Sequence, residues 1–134
     1  MKLTARYRFS ASHRLDTPAL SPEENQRLYG KCNNPHGHGH DYVLEITVEG
    51  PVDENGQIVN REALDAVVHE HVLARLDHKN LNADIPELAG SVTTTETLAT
   101  LVRGALAAGW TLPARLARVR ISETARNTFE LEVA

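Results

Sequence analysis

The sequence predicts an α+β domain in which an antiparallel four-stranded sheet carries two helices on one face. Four segments alternate apolar and polar residues, as half-buried strands do, and two longer segments repeat apolar residues at helical spacing. The two helices follow one another between the first and the last strands, a pattern typical of α+β proteins. The 134 residues fit one compact domain spanning positions 1–134.

The predicted sheet begins with two strands near the N-terminus. The first covers residues 2–11 and places Tyr7, Phe9 and Ala11 on one face. The second covers residues 41–50, and its apolar side chains are Tyr42, Leu44, Ile46 and Val48. Asn55-Gly56 is typical of a tight hairpin turn, so a short return strand is expected from Gln57 to Val59. The polar stretch between Asp16 and Cys32 is expected to be a long loop with one helical turn.

Both predicted helices have a starting signal and an apolar stripe. Asn60 can cap the first helix, whose stripe is Leu64, Val67, Val68, Val72 and Leu76. Thr93 and Glu96 have the spacing of a capping box, which predicts that the second helix starts at Thr93. Gly109 is expected to end that helix.

Two further strands are expected near residues 117–121 and 129–133, joined by a short turn. The two helices can cover only one face of the resulting sheet. The other face must therefore be covered by a partner subunit, or it must be unusually polar.

Composition narrows the class of protein. A formal net charge of −4 argues against nucleic-acid binding, which usually requires a basic face. A single cysteine excludes a disulfide framework and suits a reducing compartment. No apolar stretch near the N-terminus resembles a signal peptide or a membrane span. We therefore predict a cytoplasmic protein that binds neither nucleic acid nor membranes.

Three histidines alternate with glycines at positions 36–40. Residues two apart in an extended segment point to the same side, so His38 and His40 can reach one ion. His13, at the end of a strand-like segment, can complete a set of three nitrogens with one open position, as in catalytic zinc sites. The spacing alone does not choose which two of His36, His38 and His40 bind, and a flexible loop that scavenges metal is the alternative.

Three other positions carry groups that can transfer protons or bind a ring. Cys32 lies in a polar loop beside Lys31, which can favour the thiolate, although a buried structural cysteine is the alternative. Asp77-His78 can act as a general base or simply cap the helix before it. Glu123 ends a strand and is either solvated or a bidentate acceptor for a ring with two adjacent N–H donors.

These residues lie in stretches that resemble the 6-pyruvoyl-tetrahydropterin synthase and 6-carboxytetrahydropterin synthase family. The stretches are FSASHRL (9–15), GKCNNPHGHGHDY (30–42), LDHKNLN (76–82), TTTET (93–97) and SET (122–124). They follow the family's order and span nearly the whole chain. His36 departs from the animal enzymes, in which asparagine is usual at that position.

The resemblance implies a site and an assembly. It implies Zn²⁺ bound by His13, His38 and His40, and a proton-transfer triad of Cys32, Asp77 and His78. It implies that Glu123 binds the pterin ring and that Thr94, Thr95 and Glu96 line the same pocket. It also implies the tunnelling fold, in which three subunits join their sheets into a barrel and two trimers form a homo-hexamer with active sites between subunits.

The resemblance further implies a lyase acting on 7,8-dihydroneopterin triphosphate. The six-residue step from Cys32 to His38 favours 6-pyruvoyl-tetrahydropterin as the product. A 6-carboxytetrahydropterin synthase of the queuosine and deazapurine pathway would use the same substrate and is the first alternative. A non-catalytic module that binds pterins or purines is the second, and the intact Cys32, Asp77 and His78 favour the enzyme over it.

Overall fold

The computed structural model describes residues 1–134 and contains one five-stranded sheet. The strands are β1 (Lys2–His13), β2 (His38–Glu49), β3 (Lys79–Asn80), β4 (Arg115–Thr124) and β5 (Asn127–Glu132). Their order across the sheet is β3-β1-β2-β4-β5, with every pair antiparallel except β3 and β1. The predicted α+β class is confirmed, but the sheet has one more strand than the predicted four.

The fifth strand escaped prediction because it is too short to show alternation. β3 is two residues long and is held parallel to β1. His78 N donates to Ser10 O over 2.6 Å, and Leu81 N donates to Ser12 O over 2.8 Å. The predicted return strand at 57–59 is wrong. Asp53 Oδ1 accepts from Asn55 N and Gln57 N, which closes a compact loop there.

The helices are α1 (Pro22–Tyr29), α2 (Arg61–Val68), α3 (Ala74–Leu76) and α4 (Thr95–Gly109). A π-helical turn, His69–Leu73, joins α2 to α3, so residues 61–76 form one continuous helix. The predicted apolar stripe of this helix is buried along its whole length, as are Leu98, Val102 and Leu106 of α4. Both helices pack with the inward face of the sheet into a single core. None of the helices has the length and apolar character needed to cross a membrane.

Two details of the helices differ from expectation. The 16–32 segment contains the eight-residue α1, begun by a capping box in which Ser21 and Glu24 bond each other's backbone N–H groups over 3.1 Å. The capping box predicted at Thr93 does not form. Thr94 is the N-cap of α4, and its side chain accepts from Thr97 N, because the Thr93 hydroxyl bonds Arg14 O instead.

The sheet face turned away from the helices is polar. Glu45 lies between two arginines, 3.7 Å from Arg6 and 3.2 Å from Arg120, and the Thr4 and Thr47 hydroxyls are 2.8 Å apart. Because its side chains are polar, this face of the sheet does not need an apolar layer packed over it. Both long edges of the sheet remain unpaired, at β5 and along residues 2–9 of β1.

Candidate metal centre and active site

The pairing of β1 with β2 brings the predicted metal-binding histidines together. His13 is opposite His38, and His40 is opposite Ala11, so all three side chains leave the same face of the sheet. Cys32 arrives from a 3₁₀ turn, Gly30–Asn33. One donor atom from each of these four residues lies within 4.8 Å of all the others. The group can hold a metal ion, and His36 lies outside it.

Hydrogen bonds orient two of the imidazoles. His13 Nδ1 lies 2.8 Å from Thr93 O, and His38 Nδ1 lies 3.2 Å from Lys31 O. Because a carbonyl oxygen only accepts, each Nδ1 carries the proton and each Nε2 presents a lone pair. His38 Nε2 is 2.8 Å from His40 Nε2, while His13 Nε2 is buried and has no partner. Converging lone pairs around an unpartnered buried nitrogen are what a metal ion would satisfy.

Burial favours the neutral form of two of these imidazoles, His13 and His40. It is the largest cause that lowers the pKa of His13 and of His40, outweighing the nearby Glu123 carboxylate in both cases. Neutral imidazole nitrogens are common ligands of zinc and other transition metals. The donor set therefore fits a divalent metal ion near neutral pH.

Two asparagines fasten the loop that carries Cys32. Asn25 Nδ2 donates to the carbonyl oxygens of Thr17, Leu20 and Ser21. Asn33 Nδ2 donates to Leu15 O over 2.7 Å. Sequence reasoning missed both residues, whose only signal was their placement in a long polar stretch.

Gly37 lets this loop approach β1 closely. It has a φ of +73°, and a Cβ there would lie 2.9 Å from His13 O. Any other residue at this position would strain the backbone and push the ends of β1 and β2 apart.

The Cys32 thiol is half-buried, and its Sγ lies 3.5 Å from His38 Nε2. Burial raises the pKa of Cys32, and the Glu123 carboxylate raises it further. The expectation that Lys31 favours the thiolate is therefore wrong for the isolated chain. A bound cation beside the thiol would act in the opposite direction.

Glu123 joins this group from the end of β4. Its Oε1 lies 2.9 Å from His40 Nε2, and its Oε2 accepts a 2.6 Å hydrogen bond from the Thr95 hydroxyl. Thr95 is buried, Thr94 is half-buried at the helix cap, and Glu96 is exposed in the first turn of α4. Of the three predicted pocket residues, only Thr95 hydrogen-bonds Glu123.

Asp77 and His78 lie between α3 and β3, beside Ser10 of β1. Asp77 Oδ1 accepts from Ser10 N over 2.9 Å, and its Oδ2 is 3.6 Å from His78 Nε2. The His78 side chain is 83% exposed, and its backbone has a left-handed φ of 60°. Within one chain neither residue hydrogen-bonds Cys32, whose one polar partner is His38.

Comparisons with known proteins agree with this arrangement. The sequence model of the family described as 6-pyruvoyl tetrahydropterin synthase matches residues 2–133. The chain belongs to this family. A 6-pyruvoyl tetrahydrobiopterin synthase from Drosophila melanogaster is 44% identical over 126 residues, which are 93% of this chain and 75% of that protein. A 6-pyruvoyl tetrahydropterin synthase structure from Caenorhabditis elegans superposes with a TM-score of 0.92 at 34% identity, covering 100% of this chain and 96% of that one.

A weaker match points to the other branch of the resemblance. A putative 6-carboxy-5,6,7,8-tetrahydropterin synthase from Archaeoglobus fulgidus is 38% identical over 55 residues, which are 41% of this chain and 45% of that protein. The resemblance to 6-pyruvoyl tetrahydropterin synthases thus extends over more than twice as much of the chain.

This member of the 6-pyruvoyl tetrahydropterin synthase family has a cavity of about 1110 Å³ beside the histidines. Its lining residues are Arg14, Pro22, Gln26, Gly30, Lys31, Asn33, Asn34, Pro35, His38 and His40. Polar and cationic groups therefore surround the space next to the candidate metal centre.

Tyr42 also lies beside this site, although the sequence pattern assigned it only to the core. Tyr42 stacks on Phe9 with ring centroids 4.9 Å apart, and its ring lies 5.6 Å from that of His40. Its hydroxyl is buried without a hydrogen-bond partner, and burial raises its pKa. One indication of this role was present in the sequence, because Tyr42 is an aromatic residue at an inward position of β2 where the other apolar residues are aliphatic.

Proposed function

We propose that the protein is a zinc-dependent lyase that converts 7,8-dihydroneopterin triphosphate to 6-pyruvoyl-tetrahydropterin with loss of triphosphate. The observation that carries the proposal is the convergence of His13, His38 and His40 with Cys32 at their side. The names of the relatives that match most of the chain support the same reaction. The single cysteine suits a reducing compartment, so the proposal includes a cytoplasmic location.

The three histidines would bind zinc through nitrogen and leave one position for the substrate. When bound, zinc supplies Lewis-acid chemistry toward the side-chain hydroxyl groups of the substrate and acidifies the protons on the adjacent carbons. Cys32 would act on those protons, and the 3.5 Å distance from its Sγ to His38 Nε2 supports this role.

Glu123 would hold the pterin ring. The ring presents an N–H and an exocyclic amine side by side, and one carboxylate can accept from both. The hydrogen bond from Thr95 fixes Oε2 of the carboxylate, and Oε1 lies 2.9 Å from His40 Nε2. Each oxygen still has a lone-pair position for a donor of the ring. Thr94 and Glu96 would complete the wall of this pocket at the start of α4.

Cys32 and His78 would remove and return protons, with Asp77 orienting the imidazole. Removal of a proton from the carbon next to the phosphate-bearing carbon supplies the electron pair for a carbon–carbon double bond. The carbon–oxygen bond to the triphosphate then breaks, and triphosphate leaves as an anion. No redox cofactor is needed, because later proton transfers only redistribute electrons within the substrate.

Since Cys32 and His78 do not meet within one chain, the active site would be completed by His78 of the partner subunit. The two unpaired sheet edges, at β1 and β5, offer the backbone groups through which neighbouring sheets can join into a barrel. The proposed assembly is a hexamer made of two trimers. Analytical ultracentrifugation that found a stable 14.8 kDa monomer at micromolar concentration would contradict it.

The decisive test is product analysis after incubation of the zinc-loaded protein with dihydroneopterin triphosphate. The proposal expects triphosphate and 6-pyruvoyl-tetrahydropterin in equal amounts. A 6-carboxytetrahydropterin product would assign the chain to the other branch of the reaction. Binding of the pterin without any turnover would replace the lyase by a non-catalytic binding module.

A further inference from the structure

The cavity beside the candidate metal centre differs in charge from the chain as a whole. The protein carries a formal net charge of −4, yet none of the cavity's lining residues is acidic. Two of them, Arg14 and Lys31, are permanently cationic near neutral pH. A cationic cavity in an acidic chain is suited to an anionic ligand.

Arg14 is held firmly, but most of its donors are free. Asn82 bonds both main-chain groups of Arg14, accepting from N over 2.7 Å and donating to O over 3.1 Å. The guanidinium uses Nε to donate to Asn33 O over 3.2 Å. Its nearest carboxylate, Asp16, is 3.6 Å from Nη2, so both terminal nitrogens remain without a hydrogen bond. A planar fork held in this way can bind phosphate oxygens in pairs.

Lys31 is exposed on the same cavity and takes part in none of the chain's salt bridges. Its main-chain oxygen accepts from His38 Nδ1 over 3.2 Å, so its backbone is tied directly to a candidate metal ligand. Arg14 is tied in the same way, since it follows His13 in the chain. The backbone positions that carry both cations are therefore fixed relative to the place where the substrate's side chain would bind.

We propose that Arg14 and Lys31 bind the triphosphate group of the substrate and hold it as the carbon–oxygen bond breaks. This inference rests on the proposed function for the identity of the anion, whereas the cationic cavity itself does not depend on it. Charge-assisted hydrogen bonds from the two side chains would stabilise both the bound triphosphate and the departing anion.

The test compares Arg14→Gln, Lys31→Gln and the double variant with wild type, all as the zinc-loaded assembled protein. Lys2→Gln is the matched control, because Lys2 is an exposed cation at the opposite end of β1. Arg14→Lys keeps the charge and guards against a folding defect. Calorimetry measures the affinity for inorganic triphosphate and for unphosphorylated dihydroneopterin, and steady-state kinetics give KM and kcat.

Each single variant is expected to weaken triphosphate binding and to raise KM about tenfold to a hundredfold, with the affinity for unphosphorylated dihydroneopterin unchanged. Arg14→Lys should recover part of the loss, and Lys2→Gln should behave as wild type. Asp16→Asn should tighten triphosphate binding, because it removes the competing carboxylate while keeping an acceptor for Asn33.

Two outcomes would overturn the inference while leaving the proposed function standing. One is a normal KM in the double variant, and the other is undiminished triphosphate binding there, which would place the anion on the metal alone. If wild type instead binds triphosphate through Arg14 and Lys31 but neither binds nor converts the pterin, the anion site stands and the proposed function fails.

Discussion

His13 Nδ1 lies 2.8 Å from the main-chain oxygen of Thr93, a residue eighty positions further along the chain. This contact sets the tautomer of His13 and directs its second nitrogen toward His38 and His40. Asn82 supports it from the side, bonding Arg14 N over 2.7 Å and the Thr93 hydroxyl over 3.3 Å. The candidate metal centre thus depends on residues from three separate parts of the sequence.

Asn82→Ala is expected to weaken metal binding by up to about tenfold, the lower end of the loss seen when a direct partner of a ligand is removed, because Asn82 acts through Thr93 and Arg14. The loss follows from the loosened position of His13, since Asn82 itself carries no metal-binding atom in the group. A competition titration with a chelator measures the affinity. Asn55→Ala, in an exposed loop, is the control and should bind metal as wild type does. Equal affinity in both variants would show that His13 is positioned without Asn82.

His38→Ala combined with His40→Ala is expected to abolish stoichiometric metal binding, because one histidine nitrogen would remain of three. Elemental analysis should find about one zinc per chain in wild type and almost none in the double variant. His36→Ala is the matched control, since His36 is exposed and outside the group. Full zinc occupancy in the double variant, or its loss in His36→Ala, would refute the assignment.

Cys32→Ala is expected to lose most of its turnover, about 10²–10⁴-fold, while keeping its zinc and its fold. The sulfur is close enough to His38 to serve as a fourth metal ligand instead, so metal content decides between the two roles. Activity, zinc content and thermal unfolding are measured on the same preparation. A folded, zinc-loaded and fully active variant would remove Cys32 from the mechanism, and loss of zinc would make it a ligand.

Glu123→Gln is expected to weaken pterin binding about tenfold to a hundredfold. One acceptor oxygen becomes a donor that faces a donor of the ring, which costs about 1–3 kcal/mol. Zinc content should not change, because Glu123 is not a ligand in the proposed site. Calorimetry with a non-reacting pterin measures the affinity. Glu130→Gln, on the polar sheet face, is the control, and unchanged affinity in Glu123→Gln would mean that another residue holds the ring.

Much of the fold around this site could be predicted from local patterns, whereas features set by contacts between distant residues could not. The alternation in β2 and the stripe of helix 61–76 reflect burial, which sequence periodicity records directly. The start of α4 does not follow from such a local pattern. Three consecutive threonines precede Glu96, and the cap falls on Thr94 because Arg14 engages the Thr93 hydroxyl and His13 its carbonyl. A tertiary contact across eighty residues decides this helix boundary.

Cys32 and His78 illustrate a second kind of limit. Each was recognisable from its motif, yet no local pattern states whether two motifs meet in the same chain. The exposed position of His78 and the half-buried thiol of Cys32 are properties of the folded subunit. Their proposed meeting depends on an assembly that a single sequence encodes only through its unpaired sheet edges.

The left-handed backbone at His78 has an energetic consequence of its own. An L-residue other than glycine in this conformation is disfavoured by about 1–2 kcal/mol, and asparagine tolerates it better than most side chains. The His78 imidazole offsets little of this penalty, because the side chain is largely exposed. Its Nε2 lies 3.6 Å from Asp77 Oδ2, which is too far for a hydrogen bond. The subunit therefore gives up local stability to present this side chain to its surroundings, and His78→Asn is expected to unfold at a slightly higher temperature.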